Sequence, residues 1–271
     1  MKRIFNIISL FLVSVVCYAG STDTLTVTTK FIASPAKACI ILPQKALEQG
    51  NTERFPTVYL LNGYSGDYKS WTIIQPRLEE LADYYGMIFV TPDGRDSWYW
   101  DSPIDPEMQM ESYITKELVP FIDENFPTIP QADKRAITGL SMGGHGALWL
   151  AFRHSDIFGN AGCMSGGVDI RPFEQKWKMK LRIGERKDCP EVWDAHTVIN
   201  LVPTLQKGQV NNTIDCGLDD FFAEVNNNLH AALLQQGIDH DYTVRPGAHT
   251  IPYWRNSILY HLLFFHENFS K

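Results

Sequence analysis

Apolar residues along this chain fall into short runs, separated by stretches in which they recur every three or four positions. The segments TLTVTTKFIA and KACIILP read as an opening hairpin pair, and PTVYLLNG, GMIFVTPDG, RAITGL, GNAGCMSGG, NNTIDCG and DYTVRPG follow as further strands. The later runs are nearly continuous in apolar residues, the pattern of strands covered on both faces. Between them QPRLEELADYYG, MQMESYITKELVPFIDENF, MGGHGALWLAFRHS, FFAEVNNNLHAALLQQG and RNSILYHLLFFHENF have helical periodicity. In the second of these, Ile114, Leu118, Phe121 and Ile122 share one face, and Pro120 predicts a kink. Strands that alternate with helices predict an α/β chain with a mostly parallel, doubly wound sheet of about eight strands. One stretch, residues 168–208, follows neither period. It is a long insertion with many charges and two tryptophans, Trp177 and Trp193, and its position before NNTIDCG sets it over the upper edge of the sheet.

Composition narrows the possibilities. The 271 residues are 44% hydrophobic and 20% charged, a globular balance with no repeat or low-complexity linker to divide it. A formal charge of −7 leaves no basic patch to neutralise phosphates, so nucleic acid is not an expected partner. The first residues, MKRIFNIISLFLVSVVCYAG, combine Lys2 and Arg3, an apolar run and small residues around Ala19, which is the pattern of a secretory signal. Residues 1–19 are therefore read as a signal peptide and 20–271 as one catalytic domain in the periplasm or outside the cell, with no stable membrane insertion once the signal is gone. Cleavage removes Lys2 and Arg3 and no acid, taking the charge from −7 to −9. Lipid attachment at Cys17 is the competing expectation, disfavoured by the bulk of Val16 before it. Four further cysteines, Cys39, Cys163, Cys189 and Cys216, are too few for a disulfide framework in a chain of this size, and Cys163 and Cys216 read as buried thiols. With no CxxC and no HExxH, neither a metal nor a redox cofactor is expected.

The chemistry begins in ITGLSMGGHGALWLAF, where four glycines and a serine stand at the change from strand to helix. Gly139-Leu140-Ser141-Met142-Gly143 fits G-x-S-x-G, a sharp turn that holds a serine hydroxyl clear of a sheet. The alternative is a serine N-cap whose glycines let the helix pack closely on the sheet. A serine nucleophile needs a base within hydrogen-bond reach and an acid to orient that base. After Ser141, IDCGLDDFF offers Asp219 and Asp220 just beyond a strand, and VRPGAHTIPYW offers His249 in a loop with little core to fill. One or both aspartates are equally suited to capping the helix that follows. Donors for an oxyanion are expected from the backbone N–H of Met142 and from the N–H of Tyr64, in the glycine-flanked loop after VYLLNG.

Taken together, YLLNGYSGDYKSW, VTPDGRDSWYWDSP, GLSMGGHGAL, IDCGLDDFF and PGAHTIPYWR resemble the successive motifs of the esterase D-like α/β-hydrolases, the group of feruloyl and acetylxylan esterases, S-formylglutathione hydrolases and mycolyltransferases. The likeness runs from about Thr57 to the C-terminus. It implies the α/β-hydrolase fold, Ser141 as nucleophile, His249 as base and, of the acidic pair, Asp220 as the orienting acid. The chain departs at Asn62, where such proteins commonly carry histidine before the glycine. A secreted, acidic, single-domain member is most similar to carbohydrate esterases, so the resemblance implies a serine esterase that deacylates plant-polysaccharide esters, feruloyl or acetyl. Transfer of the acyl group to a sugar hydroxyl and a catalytically idle carbohydrate-binding protein are the alternatives. Trp98, Tyr99 and Trp100 are candidates either to stack on a sugar or phenolic acid or to close the core at a strand end. Trp177 and Trp193 of the insertion are candidate platforms in the wall of the pocket, or a structural cover for the sheet edge.

Overall fold

The computed structural model describes residues 20–33 and 35–271; the signal peptide read over 1–19, with Cys17, lies outside them. The strands are β1 (Ser21–Val27), β2 (Ala36–Leu42), β3 (Thr57–Leu61), β4 (Ile88–Pro92), β5 (Arg135–Leu140), β6 (Asn160–Met164), β7 (Asn211–Gly217) and β8 (His240–Arg245). They form one eight-stranded sheet in the order β1-β2-β4-β3-β5-β6-β7-β8. β1 and β2 are antiparallel to their neighbours and the remaining pairs are parallel. The helices are α1 (Ser70–Ile74), α2 (Leu78–Tyr85), α3 (Met110–Tyr113), α4 (Val119–Asn125), α5 (Met142–Arg153), α6 (Lys180–Ile183), α7 (Pro190–Ala195), α8 (Ala223–Gln236) and α9 (Ile251–Phe269). The fold is that of the α/β-hydrolases.

Burial follows the pleat. In β3, Tyr59 and Leu61 face a core shared with α5 and α8, while Val58 and Leu60 face a second core shared with α1, α2 and α9. Helices on both faces therefore cover the central strands, which explains their continuous apolar runs. β8 departs from that expectation: as the last strand in the order it is an edge, and its side chains are mostly half-buried or exposed. Pro120 does not break its helix. A turn of wider π-type winding at Ile114–Leu118 precedes it, with the Val119 N–H donating to Ile114 O, and this absorbs the missing proline donor between α3 and α4.

From β3 the chain crosses to β4 on one side and later returns to β5 on the other, so the carboxyl ends of β3 and β5 mark a switch point, where open α/β sheets bind their ligands. Residues 168–208 leave the sheet after β6 and fold over this edge as short helical turns whose buried Met179, Ile183, Trp193 and Val198 join the core shared with α5 and α8. Arg182 pins them down, donating to Asp96 Oδ1 at 2.6 Å and to Asp105 Oδ2 at 3.1 Å.

Candidate active site

Ser141 sits between β5 and α5 with φ 56° and ψ −117°, a backbone conformation that costs a side-chain-bearing residue about 1–3 kcal/mol. Glycines make the turn possible: a Cβ on Gly139 would lie 2.5 Å from Gly143 O, and one on Gly143 would lie 2.4 Å from Leu61 O. The Ser141 N–H donates to Met164 O at 2.9 Å, tying the turn to β6. The side chain makes no cap contact with α5, so the capping alternative for Ser141 is set aside.

The three residues singled out from the sequence meet. His249 Nε2 is 2.9 Å from Ser141 Oγ, and His249 Nδ1 is 2.9 Å from Asp220 Oδ2 and 3.1 Å from Oδ1. Asp220 Oδ1 also accepts the Phe222 N–H at 2.9 Å, so the carboxylate both faces the imidazole and orders the entry to α8. Asp219 is exposed, whereas Asp220 is buried. Because a carboxylate only accepts, the His249 proton resides on Nδ1 and the Nε2 lone pair faces the serine hydroxyl. The loops carrying acid and base are joined backbone to backbone: Leu218 N–H donates to Arg245 O and Asp219 N–H to Gly247 O, both at 2.9 Å. Arg245 is in turn fixed by Asp215 of β7 at 2.8 Å, and Asp215 Oδ2 also meets His261 Nε2 at 3.1 Å.

Beneath the serine lies His145, fully buried, with Nδ1–H donating to Gly167 O at 2.9 Å and Nε2 accepting from Trp100 Nε1 at 2.8 Å. Burial pushes its pKa down to about 3, so the ring is neutral and has a fixed tautomer.

A cleft of about 500 Å³ opens over Ser141 and His249. Tyr64, Trp177, Phe221, Ile251 and Trp254 line it together with Gly63 and Gly66. Of the two residues read as oxyanion donors, Met142 opens α5, where an amide lacks an intrahelical acceptor, and Tyr64 lines the same cleft as Ser141. Of the four tryptophans proposed as substrate platforms, only Trp177 reaches this cleft. Trp98 and Trp100 are buried, stacked on each other at 5.6 Å and edge-on to His145, because the backbone at Trp98 and Tyr99 is left-handed and turns the rings inward. Trp193 is buried within the insertion, its Nε1 donating to Gly184 O at 3.0 Å. Phe221 and Trp254 were not anticipated. Phe221 stacks on Trp177 and lies 4.2 Å, centroid to centroid, from His249. Adjacency to the acid in GLDDFF was the available signal for Phe221, and the first turn after the histidine loop was that for Trp254.

Residues 30–265 match the profile of the Esterase family. The chain is 28% identical to an acetyl esterase of Caldicellulosiruptor saccharolyticus, over 80% of this chain and 85% of that protein. It is 26% identical to S-formylglutathione hydrolase of Bos taurus, over 83% of this chain and 89% of the relative. Among solved structures, a ferulic acid esterase with 26% identity superposes with a TM-score of 0.79 over 93% of this chain and all (100%) of its own. The fluorophosphonate-binding serine hydrolase F of Staphylococcus aureus, 21% identical, shares the fold with a TM-score of 0.82 over 92% and 99% of the two chains. The chain belongs to the Esterase family and is a serine carboxylic-ester hydrolase on the α/β-hydrolase fold.

Proposed function

We propose that this esterase is exported, forms its acyl-enzyme on Ser141, and removes feruloyl or acetyl groups from plant polysaccharide. The observation that carries the mechanism is the unbroken path from Asp220 through His249 to Ser141 Oγ, each contact within 3.1 Å. His249 Nε2 takes the hydroxyl proton as Oγ bonds to the ester carbonyl carbon, and Asp220 stabilises the resulting imidazolium. The carbonyl oxygen, now negative, accepts from the N–H groups of Met142 and Tyr64. His249 returns the proton to the departing alcohol oxygen as the ester bond breaks. Water then repeats the sequence on the acyl-enzyme and releases the acid.

The cleft supports the substrate class. Its lining among the described residues includes no Asp, Glu, Lys or Arg, and its flat aromatic walls suit a neutral acyl group with a ring or a short chain. A substrate held through its own carboxylates would meet no basic Lys or Arg side chain in that lining. The likeness to an acetyl esterase and a ferulic acid esterase points the same way. Export rests on the signal pattern of residues 1–19.

The test is product analysis on feruloylated and acetylated xylan, with an S-acylglutathione thioester in parallel and Ser141→Ala as control. Free ferulate or acetate, absent with Ser141→Ala, is the expected result. Preference for the thioester would overturn the substrate class, and acyl groups appearing on added sugar would replace hydrolysis by transfer.

A further inference from the structure

Asn62, the first residue after β3, is fully buried and uses both ends of its amide. Its Oδ1 accepts the Gly94 N–H at 2.9 Å and the Tyr99 O–H at 3.1 Å. Because the Gly94 amide only donates, that atom is the oxygen, and the other is therefore Nδ2. Nδ2 donates to Gly63 O at 2.9 Å, and the same oxygen accepts the Gly66 N–H at 3.0 Å. The carbonyl of Gly63 and the N–H of Tyr64 belong to one planar peptide and point in opposite directions. Two donors on the oxygen therefore fix where the Tyr64 N–H points.

Tyr99 stiffens this arrangement. Its single hydroxyl proton lies between Asn62 O at 3.0 Å and Asn62 Oδ1 at 3.1 Å, a shared hydrogen bond that reaches backbone and side chain of one residue. Burial keeps that hydroxyl protonated far above its usual range. The ring reaches Asn62 between two glycines: a Cβ on Gly94 would lie 2.1 Å from Tyr99 Oη, and one on Gly146 of α5 would lie 2.2 Å from its Cδ2. Trp98 and Tyr99 both hold left-handed backbone, with φ 57° and 63°, which aims the ring inward.

We infer that Asn62, braced by Tyr99, is a positioning residue that orients the Gly63–Tyr64 peptide and so aims the Tyr64 N–H at the oxyanion formed over Ser141. Gly63, Tyr64 and Ser141 border one cleft, as this requires. The inference rests on the proposed acylation of Ser141 with Tyr64 as oxyanion donor. Asn62 touches no substrate. Its contribution is realised only in the transition state, when the carbonyl oxygen becomes negative.

Asn62→Asp tests it. The variant keeps size and an acceptor for Gly94 and Tyr99 but loses the N–H that holds Gly63 O. Tyr99→Phe removes the brace alone and serves if the first variant folds poorly. The assay compares nitrophenyl acetate with its thionoester, whose sulfur is a poor hydrogen-bond acceptor. For Asn62→Asp the oxygen ester should lose roughly tenfold to a hundredfold in kcat with KM within about twofold, and the thionoester much less. Tyr99→Phe should shift the oxygen-to-sulfur rate ratio in the same direction by a smaller factor. Equal losses on both esters, or none, with Ser141→Ala inactive would overturn the inference while sparing the nucleophile. An active Ser141→Ala would instead overturn the acylation reading on which it rests.

Discussion

Asp220→Asn exchanges one carboxylate oxygen for an NH₂ at nearly constant volume, and the contacts dictate which one. Asp220 Oδ1 accepts the Phe222 N–H at 2.9 Å, a bond only an oxygen can preserve. The new NH₂ therefore takes the place of Oδ2, 2.9 Å from His249 Nδ1. Two N–H groups cannot face each other across that distance, so the imidazole moves its proton to Nε2. That nitrogen, 2.9 Å from Ser141 Oγ, then donates to the hydroxyl instead of accepting from it. The base is lost, and with it the negative partner of the imidazolium. The expected loss in kcat is on the order of 10⁴, equivalent to about 5 kcal/mol of transition-state stabilisation. Steady-state hydrolysis of nitrophenyl acetate measures it, and thermal unfolding should show little change because the Phe222 bond survives. Asp219→Asn, at an exposed side chain, should stay within about twofold of the parent. A loss of less than about tenfold for Asp220→Asn, or the reverse ranking of the two, would refute this reasoning.

Ser141→Ala and His249→Ala should each lower kcat by on the order of 10³ or more, and the double variant little further, since the residues act as one unit; kinetics of all three variants decide it. Trp177→Ala should reduce kcat/KM for a feruloyl ester by roughly tenfold while sparing a small acetyl ester, because the remote ring gains only where there is a partner. Trp193→Ala should instead lower the melting temperature and affect both esters alike, as expected when about 3–5 kcal/mol of buried packing is removed. Acid should destabilise the fold through His145: its pKa of about 3 in the fold lies below the ordinary 6.5, so stability present above 6.5 is lost as the pH falls toward 3. The slope is about 1.4 kcal/mol per pH unit, and urea unfolding of His145→Gln between pH 7 and 4.5 should lack that share of the decline. Mass spectrometry of the exported protein should find an N-terminus near Gly20 and no lipid at Cys17.

The central strands were legible because they are apolar runs closed by a turn residue, as in PTVYLLNG and GMIFVTPDG. α1, with five residues, and the short α6 and α7 have too few turns to establish a period, so they escaped notice. Ser141, Asp220 and His249 stood out since each is a polar residue in the turn just beyond a strand. The tryptophans were another matter. In DSWYWDSP, whether a ring meets solvent or core depends on the backbone angles at Trp98 and Tyr99, and side-chain-bearing residues seldom adopt left-handed values. Phe221 and Trp254 failed in the opposite sense: an apolar ring in a cleft wall has the same composition as one in the core.

The division between these two groups of residues has a physical origin. Ser141, Asp220 and His249 stand at the ends of β5, β7 and β8, and the polar groups that hold them lie within the sheet: Asp215 on Arg245, Arg245 O on Leu218 N–H, Met164 O on Ser141 N–H. Such groups are costly to leave unpaired, so the geometry of acid, base and nucleophile is rigid, as electrostatic stabilisation of a transient charge demands. Trp177 is held differently. It rises from an insertion that packs around Trp193 and Met179, on left-handed backbone at Trp177 and Lys178, and it meets Phe221 through ring contact alone. Ring contacts tolerate substitution far better than a buried hydrogen-bond network does. Substitution at Trp177 is therefore expected to change the preference among acyl groups while leaving the proton path of Ser141, His249 and Asp220 intact, a split that kcat/KM for feruloyl and acetyl esters measures directly.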